Sequence, residues 1–522
     1  MSKTVPAKEL KAWLGDGREI ALLDVREHGQ YGESHLFFAV PLPFSRLEIE
    51  APRLLPRKTA RIVTCDDGAL GVASRAARRL EELGYANVHV LDGGTGGWKR
   101  AGFNLFAGVN VPSKTFGELV EHACHTPWVS AERLAAMQRS GEPLVVLDGR
   151  PLPEFRKMSI PGARCCPNGE LAYRIGEIVP DAATPIVVNC AGRTRSIVGA
   201  QTLIDLGIAN PVYALENGTQ GWFLADFPLE HGATDAYPPV RASSDLAPAR
   251  ARAKALADRH GVRFVEDEEA ARWLADPGRT TYLCDVRTPE EFAAGRVEGA
   301  VSAPGGQLLQ ATDHWVAVRH ARILLVDDDG VRAPVIASWL VRMGHDASVL
   351  RAGLASRVRA VQEPVALPEV PAFTVDELAK LLASKSAAVA DLRPSMAYRA
   401  GHIPGSRWSI RPRLGELARA LGGRPIVLVA EEPGIAQIAA RDLALEGASS
   451  VSMLEGGVAA WRAAGHPLDA TPDDPPDAAC IDYLFFVHDR HDGNKDAARR
   501  YLAWETQLLA QLDAGERASF RL

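Results

Sequence analysis

An apolar run ending in Asp-x-Arg occurs four times along the 522 residues. The copies are Leu22-Leu23-Asp24-Val25-Arg26, Val146-Leu147-Asp148-Gly149-Arg150, Leu283-Cys284-Asp285-Val286-Arg287 and Val389-Ala390-Asp391-Leu392-Arg393. Internal self-similarity commits a chain to building one unit repeatedly, and this length exceeds what one ordinary core supports. Three copies continue into a Pro-Gly or Glu-Gly pair before a small residue: Ile160-Pro161-Gly162-Ala163, Val297-Glu298-Gly299-Ala300 and Ile403-Pro404-Gly405-Ser406. The first has only Ser34-His35-Leu36 there. In each copy a second strand then leads to Cys65, Cys190, Asp327 or Ala430, which lie 41, 42, 42 and 39 residues after the respective Asp. A helical stretch follows and stops at Gly84, Gly207, Gly344 or Gly447, where glycine suits a left-handed cap. A short strand and a Gly-containing turn come next, with Trp98, Trp222 and Trp461 behind it in three copies; the third keeps Gly353 without a Trp. Strands alternating with helices predict α/β architecture, with small parallel sheets flanked by helices. Ligands of such open sheets sit beyond the carboxyl ends of the strands.

The units are read as 1–108, 109–235, 260–356 and 370–468, followed by a helical tail over 469–522. Pro and charged residues thicken near Val109–Trp128, Glu230–Arg263 and Ala355–Val370, which read as linkers. The tail carries Tyr483-Leu484-Phe485-Phe486-Val487-His488-Asp489-Arg490-His491-Asp492 and then a helical stretch, roughly Asn494 to Leu512. Tyr501, Leu502, Leu508, Leu509 and Leu512 fall near helical spacing, so one face is expected to be buried. Nothing in the pattern supports an acid or base role for His488 or His491.

A formal charge of −6, from 59 basic and 65 acidic residues, provides no basic field for nucleic acid or anionic membrane. No apolar run reaches membrane-spanning length, and Met1-Ser2-Lys3-Thr4-Val5-Pro6 lacks a secretory apolar region. Seven cysteines in this length make no disulfide framework and no CxxC pair, so a reducing cytoplasm is expected. Cys124 beside His122 and His125 lacks a fourth ligand at metal-binding spacing, and no metal site is predicted. The adjacent Cys165 and Cys166 read as packing residues entering a strand, with a relay thiol pair as the alternative. Cys284 reads as an inert strand residue, and Cys480 says nothing about chemistry.

Cys190 has a different setting. The strand-like Pro185-Ile186-Val187-Val188-Asn189 runs into Cys190-Ala191-Gly192-Arg193-Thr194-Arg195-Ser196, and an apolar helix begins directly after. Backbone N–H groups of a tight loop and the positive end of a helix then converge on the thiol. With Arg193 and Arg195 adding full charge, such surroundings favour the thiolate, which is the nucleophile. Asp148 and Arg150 recur in every copy, whether or not it has a thiol, and are read as structural support. The first copy's Cys65-Asp66-Asp67-Gly68-Ala69-Leu70 keeps a thiol but sets carboxylates beside it, which oppose both thiolate and anion. The third and fourth loops, at Asp327 and Ala430, have no thiol and read as inactive.

The Asp-x-Arg strand end, the turn Gly401-His402-Ile403-Pro404-Gly405-Ser406 and the Gly93-Gly94…Trp98 and Gly456-Gly457…Trp461 segments resemble the rhodanese family across nearly the whole chain, as tandem modules. That resemblance implies a six-residue active loop, here Cys190 to Arg195. Its length favours sulfur over phosphate, since related dual-specificity phosphatases have a loop one residue longer. It implies a sulfurtransferase in which Cys190 takes sulfane sulfur as a persulfide and passes it to cyanide, a thiol or a protein acceptor, without metal or organic cofactor. Arg193 and Arg195, with Ala191, Gly192, Thr194 and Ser196, would bind a dianionic donor such as thiosulfate. Uncharged loops are the mark of mercaptopyruvate-type members, which makes 3-mercaptopyruvate the alternative donor. The alternatives are phosphate or arsenate chemistry at the same thiolate, and a non-enzymatic sulfide or redox sensor or scaffold built of these modules. The sequence leaves the oligomeric state open.

Overall fold

The computed structural model describes residues 3–241, 244–361, 363–448, 450–488 and 493–522. It divides into two compact units, neither of which is contiguous in sequence. One holds Met1–Ala12, Ala21–Val109 and Glu363–Phe485; the other holds Trp13–Ile20, Asn110–Gln362 and Phe486–Leu522. The first and fourth repeats therefore share one unit, and the second and third share the other.

Each repeat folds as an α/β module around a parallel sheet. In the second module the strand order is Trp128–Val129, Val212–Leu215, Ile186–Asn189, Val145–Asp148 and Arg164–Cys165, and all neighbours are parallel. The third module repeats the order with Arg263–Val265, Asp346–Leu350, Arg322–Val326, Thr281–Asp285 and Val301–Ser302. The fourth does so with Ala372–Phe373, Val451–Leu454, Ile426–Val429, Ala388–Asp391 and Arg407–Trp408. The first places Lys3–Val5, Val88–Leu91, Arg61–Cys65 and Ile20–Asp24 in that order, with Val40–Pro41 paired to Ile20–Asp24. The central strands are short, rich in aliphatic residues and largely buried, completely so in Ile186–Asn189, because helices cover both faces of the sheet. The four helices that follow them stop where the sequence predicts, since Gly84, Gly207, Gly344 and Gly447 all have positive φ, between 69° and 90°.

Within the first unit, Arg411 of the fourth module is 2% exposed and donates to Glu48 and to the Phe44 carbonyl of the first module, and to Asp442 of its own. In the second unit, Gly169 and Gly306 let two backbones approach: a Cβ at Gly169 would lie 2.6 Å from the Gly306 nitrogen. Trp339 Nε1 donates to Thr202 Oγ1 at 2.9 Å in the same unit.

Two of the segments read as linkers are more than linkers. Val109–Trp128 contains the helix Val111–Cys124, whose Val111, Phe116 and Val120 are buried. Glu230–Arg263 contains the helix Ala247–Arg259, with Ala253, Leu256 and Ala257 buried. Their charged residues mask apolar faces that pack.

Candidate active site

Cys190 stands one residue past the strand Ile186–Asn189, on the loop that enters the helix Thr194–Asp205. It is 3% exposed, and the Ser196 hydroxyl donates to its sulfur at 3.3 Å. The first backbone bond of this helix runs from the Ile197 N–H to the Arg193 carbonyl. The N–H groups of Thr194, Arg195 and Ser196 thus precede the helical ladder, at the positive end of the helix, where an anion is favoured. The loop is fixed from behind: the Thr219 and Gln220 N–H groups donate to the Cys190 and Ala191 carbonyls, and Asn168 Nδ2 donates to the Arg195 carbonyl at 2.9 Å. Gly218, at φ +54°, lies so close that a Cβ there would be 2.2 Å from the Cys190 oxygen.

The two loop arginines do not stand free over the thiol. Arg193 donates to Glu118 through Nε and Nη2, at 2.8 and 3.0 Å, and also to Glu121; both carboxylates lie on the helix Val111–Cys124. Arg195 donates to Glu154 through Nη1 and Nη2, at 3.0 and 2.7 Å. Burial works against the charge on Arg195, yet Glu154 and the Cys190 sulfur outweigh it and raise its pKa above the usual guanidinium range. Its charge therefore acts on the sulfur as a fixed field, while its hydrogen bonds hold the loop.

A family model for the rhodanese-like domain matches residues 6–101, 130–225, 266–358 and 374–464. The chain belongs to the rhodanese family. Its rhodanese modules align end to end with the crystal structure of a thiosulfate sulfurtransferase from Pseudomonas aeruginosa. That chain is 41% identical, with a TM-score of 0.93 over 100% of this chain and 99% of the other. A putative thiosulfate sulfurtransferase, SseB, of Mycobacterium tuberculosis is 27% identical over 36% of this chain and 78% of its own length. A probable adenylyltransferase/sulfurtransferase, MoeZ, of the same species is 29% identical over 19% of this chain, which spans only 24% of that protein. These relatives make the chain an enzyme of the sulfurtransferase kind.

Comparing the rhodanese modules within the chain corrects one alignment. The residue after each Asp of Asp-x-Arg donates its N–H to the last residue of the neighbouring strand: Gly149 to Asn189, Val286 to Val326, Leu392 to Val429 and Val25 to Cys65. Cys65 therefore matches Asn189, and Asp66 occupies the position of Cys190. The Gly turn agrees, because a Cβ at Gly94 would strike the Asp66 oxygen, as one at Gly218 strikes that of Cys190. Cys65 is fully buried, and burial together with Asp24 pushes its thiol well above the ordinary range. Asp66 and Asp327 each accept a helix N–H at 2.9 Å, from Ala73 and Ala333. At the position where the second module has its thiol, two sister modules already hold a carboxylate on the backbone.

Asp148 and Arg150 form a buried bidentate pair, with Nε to Oδ1 at 2.9 Å and Nη2 to Oδ2 at 2.6 Å. Arg150 also donates to the Met158 carbonyl. The same pairs occur at Asp24–Arg26, Asp285–Arg287 and Asp391–Arg393, so the motif closes the strand-end loop whether or not a thiol is present. Cys165, pushed up to about 12 by burial, donates to the Arg150 carbonyl, and Cys166 is pushed up further, again by burial. Neither favours the ionised form a relay would use. Cys284 and Cys480 are buried too, and Cys124 accepts from Arg342. Among the described residues no group of His, Cys, Asp and Glu is arranged to hold a metal ion. No helix there is long and apolar enough to cross a membrane.

Sequence reasoning missed Glu118, Glu121, Glu154 and Asn168. For Glu154 a signal existed. Glu stands four residues after the Asp-x-Arg arginine in the second and third modules, at Glu154 and Glu291, and both have Arg at the sixth loop position, Arg195 and Arg332. Arg332 donates to Glu291 as Arg195 does to Glu154. The fourth module has Ala397 and Ile435 at these positions, losing both partners together. The tail helix spans Lys495–Gln511, with Tyr501, Leu502, Glu505 and Leu508 buried. His491 lies outside the described residues, and His488 ends the short helix Phe485–His488.

Proposed function

We propose that the protein moves sulfane sulfur from thiosulfate to a thiol or cyanide acceptor through a persulfide on Cys190. The observation that carries this reading is the register of the four loops. Only Cys190 puts a thiol at this register, and Asp66, which accepts the Ala73 N–H at the same place, supports reading it as a position from which backbone N–H groups can meet an anion. The Cys190 thiolate attacks the outer sulfur of thiosulfate, the S–S bond breaks, and its electron pair leaves with sulfite. The persulfide formed keeps the negative charge on its outer sulfur, facing the N–H groups of Ala191, Gly192, Thr194 and Ser196. An acceptor then attacks that sulfur and the Cys190 thiolate is regenerated, which predicts ping-pong kinetics. Arg193 serves as a positioning residue that ties the loop to Glu118 and Glu121, and Arg195 supplies charge beside the sulfur. Donor and acceptor are small molecules, and a protein thiol fits the acceptor's chemistry equally well. Seven free cysteines, six of them buried, suit a reducing cytoplasmic setting.

Mass spectrometry after thiosulfate treatment tests the reading directly. One added sulfur is expected on the peptide containing Cys190 and none on that containing Cys65. Thiosulfate:cyanide turnover that survives Cys190→Ser would refute it.

A further inference from the structure

The helix Lys495–Gln511 lies on the catalytic loop, in the same unit as Cys190. Its Glu505 is 2% exposed. One oxygen, Oε1, accepts from Lys114 Nζ at 3.0 Å and from the Tyr501 hydroxyl at 3.3 Å. The other, Oε2, makes no hydrogen bond among the described residues. It is aimed at the loop: a Cβ on Gly192 would meet it at 2.7 Å and the Tyr501 ring at 3.6 Å. Gly192 is two residues from the nucleophile, and its carbonyl and the Cys190 sulfur both lie within reach of the Ser196 hydroxyl, at 3.5 and 3.3 Å. Only a residue without a side chain leaves room for this carboxylate.

A buried carboxylate oxygen left unpaired is costly, and a hydrogen-bond donor arriving beside it is correspondingly favoured. Thiosulfate has no hydrogen to give and is repelled by the charge, so it cannot be the partner of Oε2. A thiol acceptor can.

Resting on the sulfur-transfer reading above, we propose that Glu505 receives the acceptor's S–H and makes this a transferase for protonated thiols in its second half-reaction. The S–H proton passes to Oε2. The resulting thiolate attacks the outer sulfur of the Cys190 persulfide and forms the new S–S bond. The old S–S bond breaks with its electron pair returning to Cys190 as thiolate, and the product leaves as R–S–S⁻. No oxidant or reductant is consumed, and Lys114 with Tyr501 fixes the carboxylate through Oε1.

The experiment compares Glu505→Gln with wild type, one half-reaction at a time, in mildly alkaline buffer. Sulfite released on adding thiosulfate reports the donor step and is expected to be unchanged or faster, since Glu505 offers thiosulfate no proton exchange and its charge opposes a dianion. Discharge of the persulfide by glutathione is expected to fall by about 100-fold, the usual loss when a general base is removed. Discharge by sulfite, a dianion with no proton to surrender, is expected to be unchanged or faster. Glu505→Asp, which keeps the carboxylate on a shorter arm, should recover part of the glutathione rate. Equal losses with glutathione and sulfite would reduce Glu505 to a prop for the loop and overturn the proposal, as would an unchanged glutathione rate. Persulfide loaded instead from inorganic polysulfide allows the same comparison, so a failure of thiosulfate as donor would be read separately from a failure of Glu505.

Discussion

Replacing Gly218 with Ala tests whether the turn behind the catalytic loop sets the position of the thiol. The new Cβ would lie 2.2 Å from the Cys190 oxygen and 2.6 Å from that of Gly192, where ordinary contact begins near 3.4 Å. The loop would have to retreat by about 1 Å, a displacement that costs an active site about 100-fold in rate. Keeping a non-glycine residue at φ +54° adds about 1–2 kcal/mol of backbone strain. The fourth module supplies the control. Gly457, at φ +56°, would place its Cβ 2.7 Å from the oxygen of Ala430, which has no thiol to misplace. Gly457→Ala should therefore lower the urea midpoint as Gly218→Ala does, while leaving thiosulfate:cyanide turnover within about twofold of wild type. Gly218→Ala should lose about two orders of magnitude in kcat. Full turnover in Gly218→Ala, or an equal loss in Gly457→Ala, would refute the argument.

Cys65→Ala should leave both turnover and the mass of added sulfur unchanged, because its thiol is a buried strand residue held protonated; a measurable fall in either would return it to the reaction. Arg411→Ala should cost the first unit about 1.5–3 kcal/mol in urea unfolding, since it removes the buried guanidinium between Glu48 and Asp442 and leaves those carboxylates to Arg441 and Arg79. Burial would raise Glu48, but Arg411 and Arg441 hold it down at about 2. A depressed carboxylate stabilises the fold above the unfolded pKa, near 4.5, and loses that contribution as pH falls toward 2, an amount of about 3 kcal/mol. Wild type should therefore weaken steeply over that window, and Glu48→Gln should be weaker at pH 7 with a flatter acid limb.

The architecture was legible because its signals are local and repeated four times: the Asp-x-Arg pair, the glycine helix stops and the Gly turn each impose their own geometry. The boundary at Cys65 was not. Arg61-Ile62-Val63-Thr64-Cys65 ends in a small apolar residue followed by two aspartates, so reading the strand to end before Cys65 looked natural. The strand in fact includes it, and Asp66 begins the loop. The partners of the loop arginines escaped for a different reason. Glu118 lies 75 residues before Arg193, and nothing near either residue announces the pair. Both arginines looked available for a ligand because their carboxylates come from other elements. The tail showed an amphipathic face but not its destination, and nothing in the spacing of Tyr501, Leu502 and Leu508 singles out Glu505, which is buried beside them.

The sharing of one unit by the first and fourth modules has a consequence for synthesis. The first module leaves the ribosome early, but Arg411, which meets its Glu48, is encoded only after residues 110–362 have been added. At ordinary elongation rates that interval lasts roughly 10–50 s. Through it the nascent first module exposes the surface around Phe44 and Glu48, while the second and third modules emerge in succession and can dock at once. A chaperone acting on the growing chain would find its client at the amino-terminal end.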